Sequence, residues 1–164
     1  MQPPMKNNSP DDFQTPPSAL KPLLPYLKKD WAIWECASGK GNLVNGLKFE
    51  GYNVLQSDIL YGQNFLTDAP PPFFDCILTN PPYSYKDEFL ARAYALGKPF
   101  AFLLPLTTFE GKKRQALFKK YGVEVLFLPK RINFETPTGK GQSSWFATAW
   151  FCHNLLPKQI IWSD

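Results

Sequence analysis

What this sequence has little of narrows the field first. It carries one histidine, His153, and three cysteines, Cys36, Cys76 and Cys152, in 164 residues. The cysteines are widely spaced and lie in or at the end of apolar runs, so reduced core thiols are expected rather than a disulfide or a metal site. His153 ends a strand-like run with no metal-ligand spacing around it and is assigned a structural or surface role; no metal is expected. No apolar run approaches the span of a bilayer. The start, Met1-Gln2-Pro3-Pro4, has neither the charged nor the apolar region of a signal peptide. These absences lead to the expectation of a cytoplasmic chain with no membrane partner. Internal repeats and composition breaks are also missing, so one domain over 12–164 is expected, preceded by a flexible, proline-rich polar arm over 1–11.

Charge of one sign is only mildly in excess, at +4 with a pI near 8.9. It is unevenly spread. Lys112, Lys113, Arg114, Lys119, Lys120, Lys130, Arg131 and Lys140 crowd the C-terminal part, with only Glu110, Glu124 and Glu135 between them. Such a patch can steer a polyanion, and a solvated helix face accounts for it equally well from charge alone.

The pattern along the chain is one of strands alternating with helices. A short helix is expected over 20–27, a buried strand over 31–36, a glycine loop over 37–41, and a helix over 43–50 stopped by Gly51. A second strand covers 52–57 and is closed by Asp58; the stretch 59–72 is irregular. A strand over 73–79, a helix over 86–96 ended by Gly97, and a strand over 100–104 stopped by Pro105 come next. A basic helix over 110–121, a strand over 123–128, a polar loop over 130–144 and a strand over 145–152 complete the reading. This alternation predicts a mostly parallel sheet covered on both faces. The last strand, reached without an obvious helix, is a candidate for antiparallel pairing.

The stretch Asn80-Pro81-Pro82-Tyr83 follows the apolar run 73–79. Two prolines cannot donate to a ladder, so the strand must open there into a rigid loop, at the end of an α/β sheet where ligands bind. The Asn80 amide offers an acceptor, and the Pro81 carbonyl is followed by a residue without an N–H, so two acceptors can converge on one amino group. Tyr83 adds a flat apolar face for a planar ring. Upstream, Gly39-Lys40-Gly41 between a strand and a helix lets a ligand approach the backbone, and Asp58, ending the next strand, can accept from ribose hydroxyls. The third glycine of the dinucleotide fingerprint is missing. Glu35 would repel a pyrophosphate and suits a cationic group.

In order and spacing these pieces resemble the S-adenosylmethionine-dependent amino methyltransferases, and most closely the DNA adenine N6-methyltransferases, including compact phage-encoded members. The resemblance covers about residues 12 to 152. It implies an α/β, Rossmann-like class I methyltransferase fold: a mostly parallel seven-stranded sheet with helices on both faces and an antiparallel final strand. It further implies S-adenosyl-L-methionine as cofactor. Phe13, Thr15 and Pro16 match the Phe-x-Thr-Pro segment that helps enclose the cofactor. Glu35, Ala37, Ser38, Gly39 and Gly41 match the loop that holds its methionine part. Asp58 and Ile59 match the ribose contact, and Asn64-Phe65 stands where an acidic residue and phenylalanine usually meet the adenine. Asn80, Pro81, Pro82 and Tyr83 match the catalytic motif, with Asn80 also at the cofactor edge.

On the same resemblance Phe134 flanks the flipped base. Tyr83 and Phe134, together with Lys112, Lys113, Arg114, Lys130, Arg131 and Lys140 from the basic patch, are the candidate substrate contacts. The expected partner is nucleic acid, double-stranded DNA first, with a specificity partner possible because no target-recognition domain follows the last strand. Methylation of structured RNA or of protein glutamine would use the same loop, and a non-catalytic cofactor-binding module is the reading from a different class. The intact Asn-Pro-Pro-Tyr argues against the last.

Overall fold

A computed structural model describes residues 15–132, 135–136, 139–140 and 147–164. Its seven-stranded sheet is built from β1 (Ala32–Glu35), β2 (Asn53–Gln56), β3 (Cys76–Thr79), β4 (Phe100–Pro105), β5 (Glu124–Phe127), β8 (Thr148–His153) and β9 (Ile160–Trp162). The strands lie in the order β2-β1-β3-β4-β8-β5-β9. Strands β1 to β4 are mutually parallel; β8 runs antiparallel to both β4 and β5, as the segment lacking a helical crossover predicted. The short strands β6 (Glu135–Thr136) and β7 (Gly139–Lys140) pair with each other, apart from the main sheet.

The buried strands read as continuous apolar runs because both faces are covered. On one face Ile33, Leu78, Leu103 and Trp150 pack with Leu43 and Leu47 of α2 (Asn42–Phe49) and with Ala19 and Leu20 of α1 (Pro17–Leu20). On the other, Ile77, Phe100, Phe102 and Phe151 meet Phe89, Leu90 and Ala93 of α3 (Lys86–Leu96), with Leu117 and Phe118 of α4 (Lys112–Tyr121) alongside. Cys36, Cys76 and Cys152 are buried free thiols within these cores. His153 packs its ring against Tyr94 and Phe100, and burial pulls its pKa below the ordinary value. No helix among the described residues is long and apolar enough to cross a membrane.

Four local expectations change. The helix expected over 20–27 is α1 followed by a tighter 3-10 turn, Lys21–Tyr26, because Pro22 and Pro25 remove backbone donors that a continuing α-helix would use. The strand expected from residue 73 begins at Cys76; Phe73 is 87% exposed, while Phe74 turns into an aromatic cluster with Trp34. The helix expected from residue 110 begins at Lys112, after Gly111 at φ 96°. Strand β9 closes the sheet beyond β5, where Trp162 stacks on Phe127 with centroids 4.3 Å apart. The arm assigned to 1–11 lies outside the described residues.

Candidate active site

The parallel strands deliver three loops to one edge of the sheet. Glu35 ends β1, Asp58 lies two residues beyond β2, and Asn80 directly follows β3. Gly39 and Gly41 take φ of 53° and 89°, a left-handed backbone that lets the chain reverse from β1 into α2 without a Cβ penalty. The turn closes through Gly41 N–H donating to Ser38 O at 2.8 Å, and Ser38 N–H donates to Ser57 O at 3.1 Å, tying the loops after β1 and β2 together.

Two buried carboxyl groups organise these loops. Asp58, 2% exposed, accepts from Gly39 N–H on one oxygen at 2.7 Å and from Leu60 N–H on the other at 2.8 Å. It thus caps the 3-10 turn Ile59–Tyr61 and clamps the glycine loop at once. Each oxygen keeps a second lone pair, so ribose contact would be added to a structural role already present. Glu35, also 2% exposed, accepts from Ala37 N–H at 3.0 Å. Burial pushes its pKa from the ordinary 4.5 up to about 8, and the charge of Asp58 adds to that rise. The Thr79 hydroxyl pulls the other way, although it completes no hydrogen bond among the described residues.

The loop after β3 is held from both sides. Asn80 Nδ2 donates to Thr15 Oγ1 at 3.1 Å, while Asn80 Oδ1 is buried with no hydrogen-bond partner among the described residues. Pro82 is extended, and its carbonyl accepts from Tyr85 N–H at 3.0 Å, which starts the 3-10 turn Tyr83–Tyr85 leading into α3. Lys86 Nζ donates to the Tyr83 carbonyl at 3.2 Å. The Tyr83 ring is half-buried at the margin of the aromatic core. Ser38 Oγ is a second buried polar atom without a partner among the described residues.

Ala37, Asp58, Ile59, Asn64, Phe65 and Pro82 share one small cleft. Cys36, Gln63 and Phe89 line it too and escaped the sequence reading: Cys36 and Phe89 look like core residues, and Gln63 sits in an irregular stretch with no periodicity to place it. Asn64 occupies its side chain locally, Oδ1 accepting from Leu66 N–H at 2.9 Å. Phe65 is 4% exposed and stacks on Phe89, centroids 4.8 Å apart, so most of its ring serves the core. A larger groove of about 670 Å³, between Leu20 and Leu24 on one side and Gly46 and Phe49 on the other, contains none of the residues assigned above.

The basic residues separate. Because β4 and β5 are parallel, α4 descends from the Asn80 edge to the opposite one. Exposed Lys112 and Lys113 therefore start at the Asn80 edge, as do Lys130 and Arg131 after β5, whereas Lys119 and Lys120 lie at the far end. Arg114, assigned to the substrate, is already engaged within the fold. Its guanidinium donates to Asp87 at 2.6 Å and to the Thr108 and Glu110 carbonyls, folding over Gly111, where any Cβ would collide with it. It fastens α4 to α3. Phe13, Phe134 and the side chain of Lys140 lie outside the described residues.

No family profile and no curated protein matches this chain in sequence. Solved structures do match its shape. The methyltransferase subunit of a type I restriction-modification system from Streptococcus thermophilus superposes with a TM-score of 0.60 over 96% of this chain and 48% of its own length, at 18% identity. A modification subunit of a putative type I restriction enzyme from Vibrio vulnificus gives 0.55 over 85% and 44%, at 14% identity. A TehB-like SAM-dependent methyltransferase from Corynebacterium glutamicum gives 0.52 over 86% and 88%, also at 14%. The chain spans less than half the length of the first two. The fold is the Rossmann-like fold of SAM-dependent methyltransferases.

Proposed function

We propose that this chain transfers a methyl group from S-adenosyl-L-methionine to the exocyclic N6 amine of adenine in DNA, with short or relaxed sequence specificity. The observation that carries the reading is the buried Asn80 Oδ1 at the C-terminal end of β3, without a hydrogen-bond partner among the described residues. A buried acceptor left unpaired costs about 1–3 kcal/mol. An amine brings the donor that would satisfy it, whereas a ring carbonyl would set acceptor against acceptor. In this reading the Pro81 carbonyl of the same loop accepts from the second amine hydrogen, and the Tyr83 ring stacks on the base.

The residues around the glycine loop fit the cofactor. Ser38 Oγ waits for a polar partner, and the left-handed Gly39 and Gly41 keep side chains off the approach. The Glu35 carboxyl suits a cationic amino group. S-adenosyl-L-methionine, when bound, supplies a methyl group that is already electrophilic. The chain then has to hold the target nitrogen in line with it, and two acceptors on the amine hydrogens favour the pyramidal, more nucleophilic nitrogen. In duplex DNA the adenine must leave the stack to reach this loop, and Phe134 is assigned to support the flipped ring.

Labelled cofactor offered to separate DNA, RNA and protein pools tests the reading. Label is expected in DNA adenine; label in RNA or in glutamine would replace the substrate, and no label anywhere would remove the activity. Lys112, Lys113 and Lys130 meet phosphates, which fix position without specifying sequence. Activity should therefore fall steeply between low and moderate salt, and mapped methylation should require adenine with one or two neighbours. Methylation confined to one site of six or more base pairs would overturn this, and a partner subunit supplying specificity is the alternative source of selectivity.

Glu35 sets a pH dependence. With its folded pKa at about 8, the free protein holds a proton there at pH 7 that an unfolded chain, near 4.5, has lost. Stability therefore falls as pH rises through that window. A cationic cofactor group favours the carboxylate, so binding near pH 7 should release up to one proton and tighten as pH rises toward 8. Calorimetry in buffers of differing ionisation enthalpy reads this. Glu35→Gln should abolish the proton release; an unchanged release would move it to another group.

A further inference from the structure

We infer that Thr15 is a positioning residue that fixes which end of the Asn80 amide faces the substrate. The inference rests on the methyltransferase reading above and concerns a residue in a different part of the chain, 65 positions upstream.

An asparagine side chain is directional, with an acceptor at one end and a donor at the other, and a half-turn about its last bond exchanges them. In a loop whose task is to accept a hydrogen from an amine, the wrong end presents N–H to N–H. Nothing within the Asn80-Pro81-Pro82-Tyr83 sequence chooses between the two. The structure supplies the choice from outside: Nδ2 donates to Thr15 Oγ1 at 3.1 Å, which leaves Oδ1 as the buried atom without a partner among the described residues.

Thr15 can serve as a fixed reference because its own position is anchored. Its side chain is 4% exposed, and Pro16, extended at φ −72° and ψ 154°, leads straight into α1. Ala19 and Leu20 of α1 are buried, and the Ala19 carbonyl accepts from Trp150 Nε1 at 2.8 Å at the centre of the sheet. The bond thus connects the catalytic-loop amide, through α1, to one of the largest fully buried side chains in the protein. A threonine placed only to enclose a cofactor would not need its hydroxyl on the amide nitrogen.

Two measurements test this. In the intact protein, the Asn80 side-chain NH2 resonances should show one proton protected from exchange with water, and Thr15→Val, which keeps the shape and removes the hydroxyl, should abolish that protection. Kinetically, Thr15→Val should lower kcat by about 10- to 100-fold with a much smaller change in the cofactor KM. Thr15→Ser, which restores the acceptor, should recover activity to within about threefold of the wild type.

The decisive arm is a double-mutant cycle with Asn80→Asp, whose two oxygens make orientation irrelevant. In that background Thr15→Val should cost less than about threefold, whatever Asn80→Asp costs alone. An equal loss in both backgrounds would make Thr15 merely structural, and an unprotected amide in the wild type would remove the contact itself. A protected amide in a protein that methylates none of the three pools would leave the orientation standing and overturn the methyltransferase reading instead.

Discussion

Asn80→Ala is expected to lower methyl transfer by about a thousandfold or more while changing S-adenosyl-L-methionine binding by less than about 1 kcal/mol. The asymmetry follows from where the atoms lie. Asn80 Oδ1 is buried, lacks a partner among the described residues, and stands beyond the end of β3; its Nδ2 is held by Thr15. The glycine loop proposed to hold the cofactor is fixed by other groups, Asp58 and the backbone of Gly39 and Gly41. Alanine removes the acceptor proposed to align the amine and leaves those contacts alone. Single-turnover transfer of a labelled methyl group measures the first quantity and calorimetry the second. Tyr83→Ala should be nearly as damaging, because the base loses its stacking face, whereas Tyr83→Phe keeps the ring and should be far milder. Wild-type turnover in Asn80→Ala would reduce the loop to a strand terminator.

The sheet was legible because buried parallel strands announce themselves as apolar runs separated by glycines that stop helices: Gly51 and Gly97 each stand just beyond the helix they were read to end. What misled was apolar residues serving something other than a strand. Phe73 and Phe74 look like strand, yet Asp75 exchanges backbone and side-chain hydrogen bonds with Ala32, and pairing starts only there. Strand β9 has three residues, too few for an alternating pattern, and owes its place to Trp162 on Phe127 and to Glu124, which accepts from Leu155 and Leu156 N–H.

At the site, residue types were legible and pairings were not. Composition marks Arg114 as basic; only the fold shows its charge turned inward to Asp87. The Asn-Pro-Pro-Tyr loop and the Thr-Pro step can both be picked out by eye. That Thr15 meets the Asn80 amide depends on α1 docking against Trp150, a contact spanning 131 positions. Long-range geometry of this kind has no local signature.

Asp58 is where that difference has its largest consequence for stability. Read from sequence, it is a ribose ligand, whose replacement by alanine weakens cofactor binding by about 1.5–3 kcal/mol if the carboxylate accepts from the ribose. The structure gives the carboxylate two backbone bonds of 2.7 and 2.8 Å at 2% exposure. Hydrogen bonds to a charged group contribute about 1.5–3 kcal/mol each, and alanine strands two backbone donors as well. Asp58→Ala should therefore destabilise the protein by about 3–6 kcal/mol in urea denaturation, with binding lost in addition because the Gly39 loop is no longer clamped. Asp58→Asn should fall between, since its amide keeps one acceptor and turns a donor toward the other N–H. The two roles separate cleanly: unchanged stability with lost binding would return Asp58 to a ribose contact alone. Reduced stability with binding restored at saturating cofactor would make it a loop clamp with no ligand contact.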